Sequence, residues 1–149
     1  MKKKSFSLLI LVVMILGACS NNSNELEGEV FRVFTWSPDI SPEDVSSDNL
    51  SPSSGLEFDF KSSDEVEVRS GGETFEGNYS FENNTLSVDL KDENNEESLA
   101  LDFSDFAQHE QNEKLYTGTI SKLDIKTDGH HGVGNNFSLN ENLGFYKND

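Results

Sequence analysis

Apolar and polar residues alternate one for one through four consecutive segments between positions 55 and 90. Leu56, Phe58 and Phe60 are separated by Glu57 and Asp59, and Val66 and Val68 by Glu65, Glu67 and Arg69. Phe75, Gly77, Tyr79 and Phe81 are interleaved with Thr74, Glu76, Asn78 and Ser80; Leu86, Val88 and Leu90 with Thr85, Ser87 and Asp89. Successive side chains of a strand point to opposite faces, so each segment predicts a strand with one dry and one wet face. Strands of that kind belong to antiparallel sheets, because a parallel sheet is covered on both faces. The connections 61–64, 70–73 (with Gly71-Gly72) and 82–84 have hairpin lengths and hairpin residues.

The pattern also restricts the register. Pairing Phe60 with Val66 sets Phe58 against Val68, and a slip of one residue would turn one dry face outward. In either allowed register two acids oppose each other on the wet face, Asp59 with Glu67 or Glu57 with Glu67. Such a pair is unfavourable by up to about 1 kcal/mol.

The remainder reads the same way. Positions 26–36 form a β-branched and aromatic run that predicts a strand, with Arg32 sharing a face with Val30 and Phe34. Positions 37–54, with Pro38, Pro42 and Pro52, predict a long loop containing a helical turn near 42–45 capped by Ser41. In a barrel that loop would lie over an open end. A strand follows at 98–103, then a polar loop or helical turn at 106–113. Positions 114–125 give one long or two short strands, with Tyr116, Gly118 and Ile120 on one face. A Gly-rich loop at 127–136 leads to a final strand or hairpin made from Phe137-Ser138-Leu139 and Leu143-Gly144-Phe145-Tyr146. The expected fold is all-β: an antiparallel up-and-down meander of about eight strands, closed into a barrel that either fills its interior or holds one small ligand.

The N-terminus is of a different kind. Lys2-Lys3-Lys4 precedes an apolar stretch at 6–16, too short to span a bilayer, which ends in Leu16-Gly17-Ala18-Cys19. This run resembles the lipobox of bacterial lipoproteins. The resemblance implies a signal peptide at 1–18, lipidation of Cys19, a polar tether at 19–25, a single domain at 26–149, and attachment to the cell envelope through the lipid. Ser20 after the cysteine resembles the outer-membrane sorting pattern of a Gram-negative cell. In a Gram-positive cell the same anchor holds the protein on the outer face of its membrane. Cys19 is the chain's one cysteine.

Loss of residues 1–18 removes three of the 11 basic residues and none of the 28 acids, so the formal charge moves from −17 to about −20. That argues against nucleic acid as a partner, because its binding rests on basic residues, and it permits attraction to a cationic partner. The aromatic content, 11 Phe and 3 Tyr, separates this acidic chain from a disordered one.

The domain itself resembles the small lipocalin-like domains of bacterial lipoproteins. The matching residues are Leu26-Glu27-Gly28, then Phe58 and Phe60, then Gly77-Asn78-Tyr79-Ser80-Phe81 and Leu86, with a departure at Val30 where the pattern has tryptophan. The resemblance implies a barrel that holds a small apolar ligand against Phe58, Phe60, Tyr79, Phe81 and Leu86. The alternative is an acidic interaction or inhibitor lipoprotein gripping a basic envelope protein through its surface and the 37–54 loop.

No nucleophile elbow, phosphate loop or cysteine-based zinc motif is present in the sequence, which points away from an enzyme and from a cofactor. Asp128, His130 and His131 are the best metal-ligand candidates in type, although adjacent histidines on extended backbone diverge. The acids and amides at 89–97 offer hard oxygen ligands without the spacing of a calcium loop. A monomer is expected.

Overall fold

The computed structural model describes residues 25–50, 55–92, 97–126 and 133–148. The expected signal peptide, Cys19, most of the tether, Asp128, His130 and His131 lie outside them.

Eight antiparallel strands follow one another around a closed barrel: β1 (Val30–Thr35), β2 (Glu57–Phe60), β3 (Glu65–Ser70), β4 (Glu73–Glu82), β5 (Thr85–Asp92), β6 (Ser98–His109), β7 (Asn112–Lys126) and β8 (Asn142–Lys147). Each strand pairs with its neighbour in sequence, and β1 closes the ring on β8 through Phe31↔Lys147 to Thr35↔Leu143. The register predicted from the dry faces holds: Phe60 pairs with Val66, Phe58 with Val68, and Asp59 with Glu67.

The inward faces supply the core. Phe31, Phe58, Phe60, Leu86, Phe103, Phe106, Ile120 and Phe145 are fully buried. Phe145 sits among the rings of Phe31, Phe58, Phe103 and Phe106 at centroid distances of 6.3, 5.6, 5.3 and 5.1 Å, each edge to face. Edge-to-face packing sets the positive rim of one ring against the negative face of another and adds about 0.5–1.5 kcal/mol per pair beyond area burial. Both ends are capped. At one end Leu26 is buried under a turn in which Gly28 N donates to Phe60 O (2.7 Å). At the other, Phe137 packs on Phe58, and Asn136 Nδ2 donates to Ser70 Oγ (2.9 Å).

Four expectations are corrected. Residues 26–29 are a turn and not the start of β1, since Gly28 takes φ +80° and bends the chain over the barrel end. The 106–113 stretch is strand for much of its length. Asp105 adopts φ +54° at a register shift between Ser104 and Ala107, and this bulge lets Phe106 face inward after Phe103 despite the broken alternation. Phe137-Ser138-Leu139 is not strand: Phe137 follows a 3-10 turn (Val133–Asn136), and Leu139 is exposed. The described part of the loop after β1, up to residue 50, does not cover an open end. Its 3-10 turn (Pro42–Asp44) is where expected, although Ser41 makes no side-chain cap, and the loop packs on the outer wall.

Gly77 lets β4 lie tight against β5. A Cβ there would lie 1.8 Å from Asp89 O and 2.9 Å from Leu90 Cα, backbone atoms of β5 that have no freedom to give way. Gly77→Ala is expected to cost about 3 kcal/mol through this overpacking, read as a lower midpoint in urea denaturation. An unchanged midpoint would mean that the strands part there without cost.

Candidate functional site

The five side chains proposed to hold a ligand all point into the barrel, where the structure brings them into one core: Phe58, Phe60 and Leu86 are fully buried, and Tyr79 and Phe81 are 4% and 3% exposed. They contact other side chains of the core. Phe60 lies 4.7 Å from Tyr79 and 5.7 Å from Phe31; Phe81 lies 5.4 Å from Phe106. The rings that complete this interior, Phe31, Phe103, Phe106 and Phe145, were not among the candidates. Phe31, Phe103 and Phe145 carry the same alternating signal, whereas Phe106 is hidden by the bulge.

Two tyrosines place hydroxyls at the barrel end that Leu26 caps. Tyr79 OH donates to Ser62 O (2.8 Å), and Tyr116 OH donates to Glu25 Oε1 (3.2 Å). Tyr116 also carries Lys147 Nζ 5.4 Å from its ring centre, and that ammonium pairs with Glu29 Oε1 at 2.8 Å. Glu25, assigned to the tether from sequence, is thus already in contact with the barrel. Burial pushes the Tyr79 phenol up to about 12, helped by the charges of Glu27 and Asp64. Burial likewise pushes Tyr116 up to about 12, with Glu25 and Glu29 adding to it.

The outer wall is acidic and organised in rows. The cross-strand row Asp59, Glu67 and Glu76 places three carboxylates side by side on β2, β3 and β4, ending at Lys91 on β5. Two cations hold this row. Lys61 pairs with Asp59 and with Glu67 (3.6 Å to the latter). Arg69 pairs with Glu57 (2.9 Å), Asp59 (3.5 Å) and Glu67. The hydrogen bond to Asp59, opposed by partial desolvation, raises the Lys61 ammonium above its ordinary value. Beside the row lies an open groove of about 540 Å³ lined by Lys61, Glu65, Glu67, Glu76, Lys91 and Asp92. Of the 89–97 stretch, positions 93–96 lie outside the described residues; Asp92 Oδ1, at the end of β5, accepts from Glu97 N (3.1 Å). Among the described residues no group of three or more His, Cys, Asp or Glu side chains is placed to hold a metal ion. His109 is engaged elsewhere: its Nδ1 accepts from Gln111 N (3.3 Å), and its ring lies 6.0 Å from Trp36.

The fold and this surface define a small, closed, antiparallel β-barrel with an aromatic core and an acidic wall. No protein-family model matches the chain, and no curated protein or solved structure matches it.

Two outcomes follow. The phenols of Tyr79 and Tyr116 are harder to ionise folded than unfolded, where the value is about 10. Their contribution to stability is therefore fully present below pH ~10 and is lost as pH rises from ~10 through ~12. Denaturant midpoints measured from neutral to strongly alkaline pH should be flat and then fall, and Tyr79→Phe should blunt the fall. Arg69→Gln leaves Lys61 alone between Asp59 and Glu67. It should cost less than about 1 kcal/mol at low salt, as exposed pairs do, and the loss should shrink as salt screens the repulsion.

Proposed function

We propose that this protein is a lipid-anchored, non-catalytic lipoprotein of the bacterial cell envelope, and that it works as an interaction module through its exterior, against a cationic surface of another envelope protein. The observation that carries this reading is the occupied interior. Phe58, Phe60, Tyr79, Phe81 and Leu86 pack into one core with Phe31, Phe106 and Phe145, with Leu26 and Phe137 over the ends, so binding energy is offered by the wall. The row Asp59, Glu67, Glu76 and the groove beside it present carboxylates whose potential adds to the chain's overall negative charge. The anchor rests on Leu16-Gly17-Ala18-Cys19 behind a basic and apolar leader. At about 0.8 kcal/mol per buried methylene, two or more acyl chains hold such a protein stably.

The second reading keeps the lipocalin-like resemblance and assigns the barrel a small apolar ligand, bound against the same five side chains. It is favoured by the aromatic-rich core of a closed eight-stranded barrel, with Phe137 packed on Phe58 at one end.

Native mass spectrometry of the chain from Ser20 onward separates the two. A bare mass, together with crosslinking in intact cells that captures a basic protein and fails at high salt, is the outcome the first reading expects. A discrete added mass lost on unfolding would replace it with the second. Cys19→Ala should abolish incorporation of a labelled fatty acid and release the protein from the membrane fraction; retention of the label would remove the anchor from both readings.

A further inference from the structure

Residues 36–50 run back along the barrel instead of across its mouth. The chain leaves β1 at the end that carries the Gly71-Gly72 turn, and reaches Asn112 beside the β6–β7 turn at the opposite end. On the way it lays Val45, with Trp36, Ile40 and Leu50, over an apolar strip of outward-facing side chains: Phe34 of β1, Leu115 of β7 and Tyr146 of β8. Gly144 makes the strip possible. A Cβ there would lie 2.4 Å from Phe34 Cζ, so the ring rests against bare β8 backbone. This outer cluster is separate from the barrel core.

Its attachments differ in kind from those of the strands. The segment's own backbone bonds are short-range: Ile40 N to Ser37 O, Val45 N to Pro42 O, and Leu50 N to Ser46 O. Trp36 N to Asn142 O fixes its root. Beyond the root, among the described residues, the side-chain hydrogen bonds between wall and segment come from one nitrogen, Asn112 Nδ2, which donates to Pro42 O (2.8 Å) and Val45 O (3.2 Å). Asn112 is oriented by its own Oδ1, which accepts from Lys114 N (3.1 Å). A cooperative unit is bounded where backbone ladders and core contacts stop, and here both stop at Trp36.

We propose that residues 36–50 form a strap that detaches from the barrel wall as a unit while the barrel stays folded, uncovering the strip of Phe34, Leu115 and Tyr146. This inference does not depend on which function is proposed above. The closed state has the strap as its own occupant. The open state places an apolar surface on an otherwise charged wall, and that makes the strap a conformational device.

Trp36, the chain's sole tryptophan, reports on it. Urea titration of the intact chain should show two steps: a red shift of Trp36 emission first, then loss of the β signal in circular dichroism. Ile40→Ser removes an apolar contact of the outer cluster and none of the barrel core. It should raise the open population about tenfold, the equivalent of one part-buried aliphatic side chain, and move the first step while leaving the second in place. Coincident fluorescence and dichroism transitions in the wild type would overturn the proposal, as would an Ile40→Ser shift of both steps together.

Discussion

The pairing of β1 with β8 is the constraint on which the rest depends. Five residues of β1, Phe31 to Thr35, find partners on β8, and without them the sheet would be an open ribbon with two exposed edges. Closure turns a set of one-sided strands into a container whose dry faces all meet. Phe145 is brought by β8 to the centre of that container, against rings from β1, β2 and β6. Strand pairing and ring packing therefore support each other: the ladder places Phe145, and its neighbours resist any slip of the ladder.

The wet side obeys a different economy. A closed barrel of this size has much outer wall, and this chain fills it with carboxylates, three of them in line across β2, β3 and β4. Lys61 and Arg69 are each shared among acids of β2 and β3, so neither forms an exclusive pair. Shared cations of this kind relieve repulsion more than they add attraction, in keeping with the small net worth of exposed ion pairs. What is left over is a field directed outward, and that is the property the proposed function uses.

The strands of the 55–90 stretch and their register were legible because one rule, period two with one dry face, governs them without exception. It failed where a second influence acted. At Asp105 a left-handed residue inserts a bulge and reverses the alternation, so Phe106 read as the start of a loop. At β1 the alternation looked imperfect because Phe34 is apolar on the outer face. The reason is the strap lying over it, and no local pattern encodes that long-range contact. Trp36 belongs to the same outer cluster. The five interior candidates face inward, as the period-two pattern predicts. Whether an inward ring lines a cavity or fills one depends on its neighbours across the barrel, which one strand's sequence does not contain.

The turn at residues 25–28 has a mechanical consequence. It joins whatever precedes Glu25 to the barrel through Leu26, buried in the core, and through the Gly28–Phe60 hydrogen bond. Under the anchor proposed above, tension arriving along the chain from the N-terminus would act on β1 lengthwise. β1 is clasped on both sides, by β2 and by β8, so the load would fall on both ladders in shear, where many hydrogen bonds must yield together. The barrel end that carries Leu26, Tyr79 and Tyr116 would then face the membrane, and the Gly71-Gly72 turn and Phe137 would face away from it.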